Sequence, residues 1–187
     1  LDFACQAGAE GLVFDKDGKV NIADQPYVDA LNFMAENAAA DYTPADSLST
    51  ASTESQELFT NGKIAMQLNW SHQYPAAVDA LGADKVGCAP MIAGKAGVGA
   101  TTGPWYECVM KNSANKEMAL KYVEYMYDHN ADYMNLTLKI AGRTSVYEEA
   151  GKEPGNEHTT AVLETLGGDQ SQARPMVTTW AQIEEVL

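Results

Sequence analysis

The sequence is poor in positive charge. It carries 12 lysines and arginines against 26 aspartates and glutamates, a formal charge of −14 over 187 residues. Nucleic acid and anionic lipid surfaces are met by clustered Lys and Arg, so this balance argues against both as partners. The surplus of acid suits a soluble protein whose ligand is neutral or cationic. Long apolar runs are missing too, and no stretch of about 18 residues could cross a bilayer as a helix. Cysteine is scarce and odd in number: Cys5, Cys88 and Cys108, with no C-x-x-C pair. That argues against a disulfide framework or a zinc site and leaves at most one bridge open. The three cysteines are expected as small buried side chains. His72, His129 and His158 are scattered without ligand spacing.

Catalytic signatures are equally sparse. There is no G-x-S-x-G elbow, no H-E-x-x-H, and no serine or cysteine in a nucleophile context. The glycine-rich "IAGKAGVGA" fits neither phosphate-loop pattern in a strand–helix setting. Asp15 and Asp17 lead into Gly18 at an Asp-Gly turn, but the glycine falls at the fourth position of a would-be calcium loop and no Glu sits at the twelfth. Acidic residues are too many for any pair of them to single out a glycosidase. No catalytic residue, metal or cofactor is assigned.

What is present reads as alternating helices and strands. "GLVFDKDGKVNIAD" alternates about its turn as a hairpin. Asp24 caps a helix with Pro26 in its first turn and an apolar face of Tyr27, Ala30, Leu31, Met34, Ala35 and Ala38. "TESQELFTNG" is a short helix ending at Gly62, "KIAMQLNW" a strand leading into the helix "SHQYPAAVDAL", and "DKVGCAPM" a strand stopped by Pro90. Thr101 opens a further strand through Gly103-Pro104. Its alternation puts Trp105 and Glu107 on one face and Tyr106 and Cys108 on the other; Cys108 and Val109 are expected to go toward the interior. Asn115 caps a helix striped by Met118, Ala119, Tyr122, Val123 and Met126. Helical patterns follow over 130–141, 145–150 and 157–166, and a last helix starts near Thr179 after Arg174-Pro175. The expected fold is an α/β layer structure, a central β-sheet flanked by helices with a helix-rich second half.

Aromatic residues concentrate where α/β sheets bind ligands. Trp70, Tyr74, Trp105, Tyr106 and Trp180 all fall at strand ends, helix starts or the loops between. A flat indole or phenol face with a polar edge matches a sugar ring, whose C–H patch is rimmed by hydroxyls. Asn69 and Arg143 are candidates to hydrogen-bond those hydroxyls.

Five segments, in order, carry a family resemblance: "GLVFDKDGKVNIADQPYVDALNFM", "ELFTNGKIAMQLNW", "NSANKEMALKYVEYM", "GRTSVYEEA" and "ARPMVTTWAQIEEVL". Together they resemble the extracellular solute-binding proteins of ABC sugar importers, of the maltose-binding type. The resemblance implies a periplasmic-binding-protein-like lobe. Residues 1–187 would form one lobe, the C-terminal of two, consistent with a first segment, "LDFACQAGAEG", that reads like a helix already under way. It further implies capture of a sugar or oligosaccharide outside the cell and delivery to an ABC transporter membrane permease, without catalysis. The protein would be monomeric, in the periplasm or lipid-anchored at the cell surface. Carried over position by position, Trp105 matches the tryptophan of the family's Gly-Trp strand, with Pro104 in place of its second glycine. Trp70 matches the aromatic after the "IAM" strand, Trp180 the one after the late Arg-Pro segment, and Arg143 a loop contact of some members. A carbohydrate-active enzyme with paired carboxylates, a partner-docking module and a binder of a non-sugar solute remain open on the residues alone.

Overall fold

The structure, a computed structural model, describes residues 1–47, 49–149 and 157–186. The chain divides into two compact units. The first comprises Leu1–Ser49, Pro90–Gly103 and Leu163–Leu187, the second Thr50–Ala89 and Pro104–Val162. Two of the crossings fall immediately before a proline, Pro90 and Pro104, where the fixed φ and missing N–H favour an extended exit.

In the first unit, α1 (Asp2–Gln6) packs on α2 (Gln25–Ala39). Their contact is a small cluster of Ala4, Ala9, Tyr27 and Ala30, with Leu1 and Phe3 against it. Tyr27 is buried because its hydroxyl has partners: it accepts from the Val13 N–H at 2.7 Å and donates to the Gly11 carbonyl at 3.3 Å. The hairpin expected from residue 11 closes as predicted about Gly18, whose φ is +77°, but it is a turn with a single Phe14–Val20 bridge, without strands. Asp15 explains its geometry: Oδ1 accepts the N–H groups of both Asp17 and Lys19, each at 2.9 Å, so the carboxylate serves the turn.

The sheet of this unit is parallel. β1 (Thr101–Thr102) pairs with β2 (Gln172–Ala173) in the register Thr101–Gln172 and Thr102–Ala173. The pairing extends past the strands proper: the N–H groups of Gln170, Gln172 and Arg174 donate to the carbonyls of Val98, Ala100 and Thr102 at 3.2, 3.0 and 3.2 Å. Two glycines make this approach possible. A Cβ on Gly99 would lie 2.3 Å from the Gln170 carbonyl carbon, and one on Gly168 would lie 2.2 Å from the Val98 oxygen. Asp2 and Gln6 latch α1 to the same stretch. Asp2 Oδ1 accepts from the Thr101 N–H and hydroxyl at 2.6 and 2.8 Å, and Gln6 Nε2 donates to the Gly99 carbonyl at 2.9 Å. After β2, α9 (Trp180–Val186) closes the unit, and Arg174 pairs with its Glu184 at 3.3 Å.

The second unit is helical. α3 (Ser52–Thr60) packs on α4 (Tyr74–Leu81), joined by an extended segment and one 3-10 turn, Ser71–Gln73. α3 ends as Gly62 predicts. Gly62 has φ +67°, its N–H donates to the Phe59 carbonyl and that of Lys63 to the Leu58 carbonyl, which together form a Schellman cap. α5 (Lys116–Asp128), α6 (Asn130–Thr137) and α7 (Ser145–Glu149) follow, each packed on the next. α8 (Glu157–Leu166) runs on into the first unit. The pattern expected over 130–141 stops at Thr137 because Leu138 takes a left-handed conformation, φ +56°. Ala150, the end of the 145–150 pattern, lies outside the described residues.

Several expected burials are corrected. On α2 only Tyr27 and Ala30 are buried; Leu31 is 65% exposed, and Met34, Ala35 and Ala38 are exposed as well. α1 and the 11–13 backbone cover one turn of the helix, too little for the whole stripe. On α5, Ala119, Val123 and Met126 are half-buried, whereas Met118 and Tyr122 are exposed. "KIAMQLNW" and "DKVGCAPM" form no strand, Asp84 and Lys85 lying in a turn, and the stretch after Thr102 likewise leaves the ladder. Cys108 is exposed and Val109 half-buried, because without a ladder there is no sheet face to turn them inward. Among the described residues no helix is long and apolar enough to cross a membrane.

The three thiols are free, and their surroundings rank their reactivity. Cys5 is sealed in the first unit, where burial, with Asp2 adding, pushes its pKa up to about 11. Half-buried Cys88 is raised by burial and by Glu157. Since the thiolate is the reactive form, iodoacetamide at neutral pH should label Cys108 at least about tenfold faster than Cys5. Peptide mass spectrometry over a time course measures the order, and equal rates would show the first unit to be open.

Candidate functional site

The 64–70 segment inverts its own sequence pattern. Alternation assigns Met66 and Leu68 to the interior, yet Met66 is 86% exposed and Leu68 is exposed, while Gln67 and Asn69 are half-buried. The reason is hydrogen bonding. Gln67 Nε2 donates to Gln56 Oε1 of α3 at 2.8 Å, and Asn69 Nδ2 donates to the Ser52 carbonyl at 3.2 Å and to Gln67 Oε1 at 3.1 Å. Amides replace a strand partner, so the polar side of the segment faces the protein. Asn69 Oδ1 accepts the Trp70 N–H at 2.8 Å, and the Trp70 carbonyl accepts the Gln73 N–H at 3.0 Å, which starts the 3-10 turn. The Trp70 side chain emerges 41% exposed.

Tyr74 follows as the first residue of α4, ahead of Pro75. Its ring stacks on His158 of α8, centroids 4.2 Å apart and planes 8° apart. Burial raises the Tyr74 hydroxyl above its ordinary range, with smaller pushes from Cys88 and Glu157. Glu157 is anchored here by the Cys88 N–H, 3.1 Å from Oε1. Burial lowers the pKa of His158, 3% exposed, against the opposing effect of a backbone hydrogen bond at Ser71.

This stack predicts a pH dependence. The unfolded chain takes up the His158 proton near 6.5, the folded chain only at lower pH. Above 6.5 both forms are neutral. As pH falls through 6.5 the unfolded state binds the proton first, so stability declines toward the lowered folded value, by up to about 1.4 kcal/mol per pH unit. His158→Phe keeps a ring against Tyr74 and should flatten that slope. Urea midpoints for both proteins at pH 7.5 and 5.5 measure it, and parallel slopes would contradict it.

Trp105 and Tyr106 stand on the extended stretch after Pro104. Trp105 is 90% exposed and Tyr106 is nearly as open. Arg143 sits in the loop before α7. Its guanidinium lies over the Tyr127 ring at 4.5 Å and donates to Ser145 Oγ at 3.0 Å and the Tyr127 carbonyl at 3.3 Å. It is held as a planar fork against α5. In the first unit, Trp180 opens α9, its N–H bonded to the Val177 carbonyl at 3.2 Å; the ring is half-buried, and indole Nε1 has no partner among the described residues.

The structure thus links Asn69, Trp70 and Tyr74 through one turn, and Trp105 with Tyr106 through the chain. The sequence reading missed Gln56, Gln67 and His158. Glutamines carry no spacing signature, and the bonds of Gln56 and the stack of His158 are made to distant parts of the chain. It also missed a cavity of about 250 Å3 in the first unit, lined by Gly8, Ala9, Glu10, Asn21, Asp24, Pro26 and Tyr27, none of them a predicted contact. Among the described residues no three His, Cys, Asp or Glu side chains gather to hold a metal.

The fold has a solved counterpart. The sequence profile described as bacterial extracellular solute-binding protein matches residues 3–132, more than half of the chain. The chain belongs to that family. Every predicted contact except Arg143 and Trp180 falls within the matched stretch. The solved structure of maltose-bound MalE3 of T. maritima is similar to the chain with a TM-score of 0.82 at 24% identity, over 99% of this chain and 48% of that one. The fold is therefore that of the family, an α/β periplasmic-binding-protein-like lobe, helix-rich with a small sheet. The chain spans about half the length of that relative.

Proposed function

We propose that the chain binds a sugar or oligosaccharide outside the cell and hands it to an ABC transporter permease, without chemistry of its own. Residues 1–187 act as one lobe of a two-lobe binding protein, monomeric, in the periplasm or lipid-anchored at the surface. Family membership supports solute capture, and the maltose in the related structure supports a carbohydrate. The observation that carries the reading is Trp105. A protein gains nothing in stability from an indole 90% exposed after a Gly-Pro pair, but a sugar gains a platform. Trp70 and Tyr106 are further contacts in the second unit. Tyr74 shapes the turn under Trp70, and Asn69 orients it. Arg143 is a hydroxyl donor, and Trp180 is proposed in its own right as a sugar contact.

Titration of the chain with maltose, maltotriose and a wider glycan panel tests this by tryptophan fluorescence and calorimetry. Saturable quenching with the sugar recovered intact is expected. Release of new reducing ends, or silence across the panel with a response to a non-sugar solute, overturns it.

A further inference from the structure

The hydrogen bonds around Trp70 form a closed ring, each member donating to the next. The Trp70 N–H donates to Asn69 Oδ1 at 2.8 Å, Asn69 Nδ2 to Gln67 Oε1 at 3.1 Å, and Gln67 Nε2 to Gln56 Oε1 at 2.8 Å. Gln56 Nε2 donates to the Gln73 carbonyl at 3.3 Å, and the Gln73 N–H returns to the Trp70 carbonyl at 3.0 Å. Ser55 Oγ donates to Gln67 Oε1 at 3.4 Å, and the Ser52 carbonyl accepts from Asn69, so α3 anchors the ring from two sides. The amide orientations are mutually consistent. Turning any one of the three would set donor against donor or acceptor against acceptor. Gln56 is buried, Gln67 and Asn69 half-buried.

We propose that Gln56 is a positioning residue for ligand capture: its buried amide closes the ring that fixes the Trp70 backbone, and so aims the indole, before any ligand arrives. The functional meaning rests on the reading of Trp70 as a sugar contact; the ring itself does not. The backbone of Trp70 sets the direction of its Cα–Cβ bond, and with it the region the indole can reach. Both Trp70 backbone groups are members of the ring. Rings in which every bond donates the same way reinforce one another, and an interior medium strengthens each bond. The position needs a group that donates on one side and accepts on the other. An ionised carboxylate offers no donor to the Gln73 carbonyl, and methionine offers neither. Preorganisation of this kind strengthens binding by removing the ordering cost from the binding step.

The test follows Trp70 alone. The chain has three tryptophans, so W105F/W180F leaves Trp70 as the only indole. Its time-resolved anisotropy is recorded at pH 8.5 and 5.5 in that background and with Q56E, Q56M and Q67E added. The introduced carboxyl at position 56 is buried, which raises its pKa above the ordinary carboxyl range. At pH 8.5 it is ionised and the ring is open; at pH 5.5 its O–H restores the donor to the Gln73 carbonyl. The expected result is a mobile indole in Q56E at pH 8.5, parent-like restraint at pH 5.5, and mobility at both values in Q56M. Q67E, at a half-buried site, should also be mobile at pH 8.5. Glu54 and Glu57 on α3, His72 in the turn, and Tyr74 and His158 beside it are common to all these proteins, and the background's own profile subtracts them. Circular dichroism at each pH confirms folding. Anisotropy matching the background in Q56E and Q67E at pH 8.5, or mobility in Q56E not reversed at pH 5.5, overturns the proposal. Maltose titrations of Q56E with Trp105 and Trp180 restored form a separate arm. Affinity should weaken about fivefold at pH 8.5 relative to pH 5.5, as expected for one lost hydrogen bond. Absence of maltose binding in the parent counts against the sugar reading and leaves the outcome of the anisotropy arm unaffected.

Discussion

Gly99→Ala should destabilise the first unit by about 3 kcal/mol or more. The added methyl group would fall 2.3 Å from the Gln170 carbonyl carbon and 2.5 Å from its oxygen, and both are main-chain atoms that cannot swing aside. Either the 98–102 segment or the 170–174 segment must retreat. Retreat lengthens the bonds from Gln170 and Gln172 to Val98 and Ala100, and it draws the Gly99 carbonyl away from buried Gln6. A buried amide deprived of its acceptor adds the cost of its own desolvation. For a chain of this size the loss corresponds to a fall in melting temperature of roughly 6–12 °C. Gly142→Ala is the control, because a Cβ there meets nothing within 4 Å. Differential scanning calorimetry of both variants measures the effect. If Gly99→Ala melts with its parent, the parallel ladder is not as close as described.

Trp105→Ala should have the opposite profile: a large loss of sugar affinity with little change in stability. The ring is 90% exposed, and substitutions at such positions ordinarily shift stability by no more than about 0.5 kcal/mol. A sugar stacked on one indole face covers roughly a third of the ring system. At about 25 cal/mol per Å2 that amounts to about 1.5–2 kcal/mol, or a tenfold to thirtyfold weaker Kd. Trp105→Phe keeps a smaller platform and should fall between. Trp70→Ala should lose affinity comparably but also some stability, since its ring is more than half buried. The contrast between the two separates a contact that only binds from one that also packs.

The helices were legible in the sequence, and of the sheet only the strand opening at Thr101 was. Pro26 after Asp24, Gly62 after a helical run, and the stripe on α5 are local signals, and each marked a helix that is present. Neither Asp24 nor Asn115 makes the expected side-chain cap bond, and the helices start there regardless. Strand signals are ambiguous because alternation describes any extended chain. Whether "KIAMQLNW" lies in a ladder or is held by side-chain amides depends on Gln56 and Ser52, outside the segment itself. The pairing of Val98–Thr102 with Gln170–Arg174 joins segments about seventy residues apart, and no pattern in either announces the other. Of the candidate site, the aromatic placements were readable because Trp and Tyr gathered at the ends of elements form a local signal. The groups that orient them are ordinary amides and one histidine, which only the folded chain brings into range.

The central claim is that an exposed indole surface on this chain grips a carbohydrate. Calorimetric titration of the chain and of Trp105→Ala with maltose, side by side at one temperature and pH, tests it most directly. The account predicts saturable binding by the chain, at least tenfold weakening in the variant and matched melting temperatures. Equal affinity for both proteins would contradict it.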